Sequence, residues 1–206
     1  MILDIASSCS DFLPVLVAIY NFKYLDKVLK ITAVFFLIES MVGLAMWIST
    51  HMGVKNNMPL IHVNLIITIL FFGIIYYKLF LKSGLKKTVV VLSSIVLLIT
   101  LYYNLHIYEY PSVPKTALSI LLIVLSLIYF YQMLNPLKYV DIEKQGLFWI
   151  NAGVLFYFAV NIFLFMIFTQ IPVKEQGNYY IINSVTNIIA NILYSVGLFC
   201  KPQKTT

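Results

Sequence analysis

Residues 147–171 read LFWINAGVLFYFAVNIFLFMIFTQI, and no charged side chain interrupts them. At 1.5 Å per residue a helix of that length crosses the roughly 30 Å hydrocarbon layer of a bilayer. A barrel strand would alternate apolar and polar residues over about ten positions, and this stretch does not alternate. Its few polar residues include Tyr157 and Asn161, four apart and therefore on one helical face.

Similar charge-poor runs recur on both sides. Spans are expected near 5–22, 28–50, 59–80, 88–105, 114–134, 147–171 and 180–200. The expected fold is all-α, a polytopic transmembrane bundle of seven helices forming a single domain. Composition agrees: 61% of residues are hydrophobic and 11% charged, and the mean hydropathy is +0.92, values foreign to soluble domains. The connecting loops are short, so any function must reside in the bundle.

All 14 basic residues are lysines. Without guanidinium forks the net charge of +6 does not describe a phosphate-gripping surface, and nucleic acid is not an expected partner. The lysines alternate in density from loop to loop, with Lys23, Lys27 and Lys30 in one and Lys78, Lys82, Lys86 and Lys87 two loops later. Lys55, Lys115 and Lys174 stand alone between. Eleven on one side against three on the other predicts an N-terminus outside and a cytoplasmic C-terminus. The N-terminal residues lack a positive n-region, and no cleaved signal is expected. The two cysteines, Cys9 and Cys200, sit near opposite ends and suggest no disulfide framework.

The first span is ambiguous. Ser10 and Asp11 resemble a helix N-cap with Pro14 in the first turn, which leaves a helix of about 21 Å to Leu25, short for a bilayer. Alternatively the helix starts earlier and is kinked at Pro14.

In the last span, NSVTNIIAN (183–191) spaces three asparagines four apart. At 100° per residue Asn183, Asn187 and Asn191 occupy roughly 80° of arc, with Ala190, Tyr194 and Gly197 beside them and Ile182, Val185, Ile189, Ile192 and Val196 opposite. The stripe is expected to face protein, either as interhelical hydrogen-bonding glue or as the polar lining of a cavity. Glu39, midway along the second span with lysines expected only at span edges, should be protonated, hydrogen-bonded to amides or hydroxyls, or in contact with a water-filled cavity. Asn64 and Thr68 reach similar depth. The candidate polar core or ligand site is therefore Glu39, Asn64, Tyr157, Asn161, Asn183, Asn187 and Asn191. His62, near one surface, is read as a packing residue.

Several activities lack their signatures. The seventh span has no lysine for a retinal Schiff base, and HExxH, GxSxG and Gly-rich phosphate loops are missing. Pro-Gln occurs only at Pro202–Gln203 in the tail. His51 and His106 have no metal-ligand spacing, and neither metal nor cofactor is expected.

Four stretches carry a resemblance: LPVLVAIYNFKYLDKVLKI (13–31), ILLIVLSLIYFYQML (120–134), LFWINAGVLFYFAVNIFLF (147–165) and IINSVTNIIANILYSVGLFC (181–200). Together they resemble a family of small bacterial seven-helix integral membrane proteins to which no activity is assigned. The resemblance singles out Asn151, Tyr157, Asn161, Asn183, Ser184, Asn187 and Asn191, and implies a bacterial cytoplasmic membrane and an association with sensor histidine kinases. The functional expectation is a non-enzymatic ligand- or membrane-sensing module embedded in lipid and acting through such a partner. The alternative is a small-solute or proton-coupled transporter using Glu39. An intramembrane lipid enzyme and a structural subunit rank below these.

Overall fold

The computed structural model describes residues 2–54, 56–134 and 142–200. Lys55, Lys138, Lys201, Lys204 and the Pro202–Gln203 pair lie outside them. The helices are α1 (Ile2–Ser10), α2 (Phe12–Asn21), α3 (Lys27–His51), α4 (Met58–Leu79), α5 (Ser83–Tyr103), α6 (Ser112–Leu134), α7 (Gly146–Ile167) and α8 (Val173–Phe199). With α1 and α2 taken together they provide, among the described residues, seven segments long and apolar enough to cross a membrane.

Most segments extend past the expected boundaries: the fourth begins at Ser83 rather than near 88, and the last at Lys174 rather than near 180. Hydropathy marks only the hydrocarbon-embedded part of a helix. Backbone hydrogen bonding continues into the polar interface, where lysines such as Lys86 are tolerated.

The first segment runs from Ile2 to Tyr24, so the expected N-cap at Asp11 is not formed. Asp11 has helical φ and ψ and makes no side-chain capping bond. The helix is interrupted at Asp11 because Pro14, one turn on, has no N–H for the Ser10 carbonyl and its ring crowds that carbonyl. Ser40 of α3 donates its hydroxyl to the Asp11 carbonyl at 2.8 Å, supplying a partner beside the break. A true cap follows at Asp26, whose Oδ1 accepts from the amides of Val28 and Leu29 at 2.7 and 2.8 Å; such a cap contributes about 1 kcal/mol.

Each segment packs on its neighbours in sequence, and α8 closes the ring against α1 and α2. The outward faces are apolar, with Leu98 67% and Phe163 69% exposed. In water such a surface would drive association, whereas lipid covers it without cost. Buried hydroxyls inside the ring mostly return to their own helices: Thr32, Thr100 and Ser119 donate to the carbonyls of Val28, Val96 and Lys115, four residues back. Each is thereby satisfied where water does not reach.

α7 and α8 cross closely. The Gly146 and Gly197 backbones touch so closely that a Cβ on Gly197 would stand 2.7 Å from the Gly146 carbonyl oxygen. Seven residues further along each helix, a Cβ on Gly153 would meet the Tyr194 ring at 2.5 Å and the Ala190 carbonyl at 3.3 Å. Small residues at heptad spacing on both antiparallel helices let the backbones approach. At the same end Asn21 donates through Nδ2 to the carbonyls of Leu198 and Phe199, both at 3.0 Å, satisfying the last turn of α8.

Candidate functional site

The ring encloses a cavity of about 250 Å³ in the half of the bundle that holds the N-terminus. Its position follows from its lining: Lys115 stands in the first turn of α6, Asn64 in the second turn of α4, and Met46 near the end of α3. Every membrane segment except α5 contributes to the wall.

Glu39 projects into this space from the middle of α3. Its Oε2 accepts from Asn64 Nδ2 at 2.8 Å and its Oε1 from the Thr68 hydroxyl at 2.9 Å. Asn64 and Thr68 are one turn apart on α4, so a single helical face presents both donors. The amide and hydroxyl partners are of the kind named in one of the three settings expected for Glu39 from sequence. The Asn64 Oδ1 atom has no hydrogen-bond partner among the described residues.

The asparagines of α8 do not bond to Glu39. Asn187 and Asn191 both donate to Asp11 Oδ1, at 2.7 and 2.8 Å, and also reach the Ser7 and Ser10 hydroxyls at 3.1 and 2.9 Å. Ser184 donates to Asp4 at 3.0 Å. Three consecutive turns of α8 are thus fastened to the first segment. Asn183 takes a separate route and accepts from the Tyr157 hydroxyl at 2.9 Å. The stripe holds the ring closed on one side and lines the cavity on the other, since Asn183, Asn187 and Asn191 all border it.

Asp11 escaped the sequence reading as a membrane-embedded acid because Ser-Asp before a proline has the form of a cap. Only the contact with α8 shows its setting. Its Oδ1 takes both amides; its Oδ2 takes no hydrogen bond from a described residue and points toward Gly43, where a Cβ would lie 3.8 Å away. Gly43 borders the cavity, which leaves that oxygen beside the open space.

Lys115 corrects a second expectation. Read as a loop residue, it instead belongs to α6 and lines the same cavity as Glu39. Its Nζ lies 4.9 Å from the Tyr110 ring centroid and 4.8 Å from that of Phe165, within cation–π range. Among the described residues it forms no ion pair within 4 Å. An amphipathic lysine near a helix end can lie along the bundle interior while its sequence position reads as interfacial.

Asn161 lies outside the cavity wall. Fully buried, it donates to the Tyr157 carbonyl at 2.8 Å and to Thr186 Oγ1 at 2.6 Å across the α7–α8 seam. Asn151, from the resemblance, belongs to another closed cluster: Tyr76 donates to its Oδ1 at 2.8 Å and meets Ser126 at 2.7 Å. His62 bridges Asn104 at 2.7 Å and the Glu109 carbonyl at 3.0 Å, a packing role. No three metal-ligating side chains cluster among the described residues. The α7 aromatics divide, with Tyr157, Phe158 and Phe165 on the cavity and Phe163 facing outward.

No protein-family model, curated protein or solved structure matches the chain. The chain is a multi-pass helical membrane protein.

Proposed function

We propose that this chain is a non-enzymatic, ligand-responsive module of a bacterial cytoplasmic membrane, with its N-terminus outside, whose occupied state is read by a membrane signalling partner such as a histidine kinase. The observation that carries the reading is the cavity: Asp11, Glu39 and Lys115, from three segments, converge on one space walled by aromatic rings. Ionisable groups at that depth are costly and mark sites of binding or transfer more often than packing does, and an apolar pocket with a few convergent polar groups is the usual form of a small-molecule site. The lysine asymmetry supports the orientation, which sets the cavity in the outer half of the membrane. The short loops support output through a partner, for which the Lys78–Lys87 region offers a basic surface.

Purified protein in nanodiscs is expected to unfold at higher temperature with at least one of a set of millimolar small solutes bearing ammonium, carboxylate or neutral polar groups. A site saturated a hundredfold gains about 2.7 kcal/mol. Glu39→Gln, nearly isosteric, should remove that response. Should no solute shift the wild-type transition, the cavity is not a ligand site.

The break at Asp11 favours a second reading, because interrupted helices at mid-membrane depth line the substrate sites of many transporters. On this reading Glu39 couples solute movement to protons. Uptake into proteoliposomes driven by a pH gradient, and lost in Glu39→Gln, is its expected signature; equal uptake by both proteins would remove Glu39 from that role.

A further inference from the structure

The charges around the cavity are arranged by depth. Lys115, in the first turn of α6, is held near the end of the bundle by the rings of Tyr110, in the loop before α6, and Phe165, in the last turn of α7. Glu39 and Asp11 stand near the middle of their segments, deeper than Lys115. A single space is therefore bounded by a cation toward one end and by two carboxyl groups toward the other. On the side of the carboxyl groups away from Lys115 the wall is aromatic, with Phe35, Phe36 and Phe72.

The protein leaves these charges incompletely matched. Asp11 spends one oxygen on two amides and keeps Oδ2 beside the cavity. Glu39 receives one bond per oxygen, and a carboxylate can accept about four. Lys115 is stabilised by ring faces rather than by a carboxylate, so its three N–H donors remain available to an anion. An ammonium group seated between Asp11 Oδ2 and Glu39 would donate charge-assisted hydrogen bonds to both, and an acidic group nearer the end would accept from Lys115. The volume of about 250 Å³ falls below the range of roughly 300 to 1,000 Å³ typical of drug-sized ligands, which suits a small solute.

We propose that the cavity binds a small zwitterion of the free amino-acid class with an apolar or aromatic side chain, its ammonium on Asp11 and Glu39, its carboxylate on Lys115 and its side chain against the aromatic wall. This rests on the cavity being a ligand site and names the chemistry of its occupant. A neutral solute would bring no opposite charge to any of the three. A simple amine would leave Lys115 unanswered.

The test compares phenylalanine and leucine with two truncated probes, phenethylamine without the carboxylate and 3-phenylpropionate without the amine, by calorimetry on the full chain in nanodiscs. At least one amino acid is expected to bind saturably, and each truncated probe at least tenfold more weakly than phenylalanine. Glu39→Gln should weaken amino-acid binding at least tenfold. Lys115→Met should erase the difference between phenylalanine and phenethylamine, a readout that general loosening of the bundle would not produce. Phenethylamine binding as tightly as phenylalanine, or Lys115→Met retaining the preference, overturns the assignment. A neutral solute or simple amine that binds in a Glu39-dependent manner while the amino acids do not overturns the zwitterion but preserves the ligand site. If neither these probes nor the wider solute set bind, both fall.

Discussion

Gly197→Ala is expected to lower the stability of the folded bundle by about 3 kcal/mol, at the upper end of the usual cost of overpacking. The added methyl would lie 2.7 Å from the Gly146 carbonyl oxygen and 3.0 Å from two carbons of Ile150. Ile150 is buried and the carbonyl is backbone, so neither can move aside cheaply; the helices would have to separate. That separation would reach Gly153 and Ala190 seven residues along, where the same pair of helices is again at its closest. Gly177→Ala, on the same helix but with nothing within 4 Å of the new methyl, is the internal control. It should be neutral or stabilising by up to about 1 kcal/mol, the helix-propensity difference. Unfolding of both variants in mixed micelles decides the matter. Equal stability of the two would mean that the α7–α8 contact is looser than described.

Asp11→Ala should cost about 2 kcal/mol and detach the first segment from the last. The carboxylate accepts two amide hydrogen bonds, and bonds to charged groups contribute about 1.5 to 3 kcal/mol. Two effects hold the net figure down: interhelical hydrogen bonds in membranes average only about 0.6 kcal/mol, and both asparagines retain a serine hydroxyl, Ser7 for Asn187 and Ser10 for Asn191. A double-mutant cycle with Asn191→Ala isolates the contact. A coupling of about 1 kcal/mol is expected, since residues sharing a hydrogen-bond network couple by roughly 0.5 to 3 kcal/mol. Strict additivity would sink the idea that Asp11 ties α8 to the break in the first segment. Protease sensitivity of α1 offers a second readout: once its polar ties to α8 are weakened, little apolar burial holds it, as Ile2 is 84% and Ile5 54% exposed.

The helical class, the number of membrane segments and the facing of the last helix can be read along the chain. These depend on properties local to one segment: the length of an apolar run, or the angle at which every fourth residue recurs. The isoleucines opposite the asparagine stripe are largely exposed, as the helical projection requires. Glu39 was legible for the same reason, because an acid amid apolar residues is conspicuous in one dimension. Pairing between segments was not legible. Asp11 was hidden by a local cap-like motif, and Lys115 by its place at a predicted span edge; each acquires its role from residues far away in the chain, Asn187 and Asn191 for one, Tyr110, Phe165 and the Glu39 cavity for the other. Packing is what makes Asn187 and Asn191 hold the first segment instead of Glu39, makes Asn161 seal a seam rather than line the cavity, and lets Gly146 and Gly197 set how near α7 and α8 come. A hydrogen bond or a van der Waals contact is a relation between two surfaces, and the periodicity of a single helix specifies only one of them.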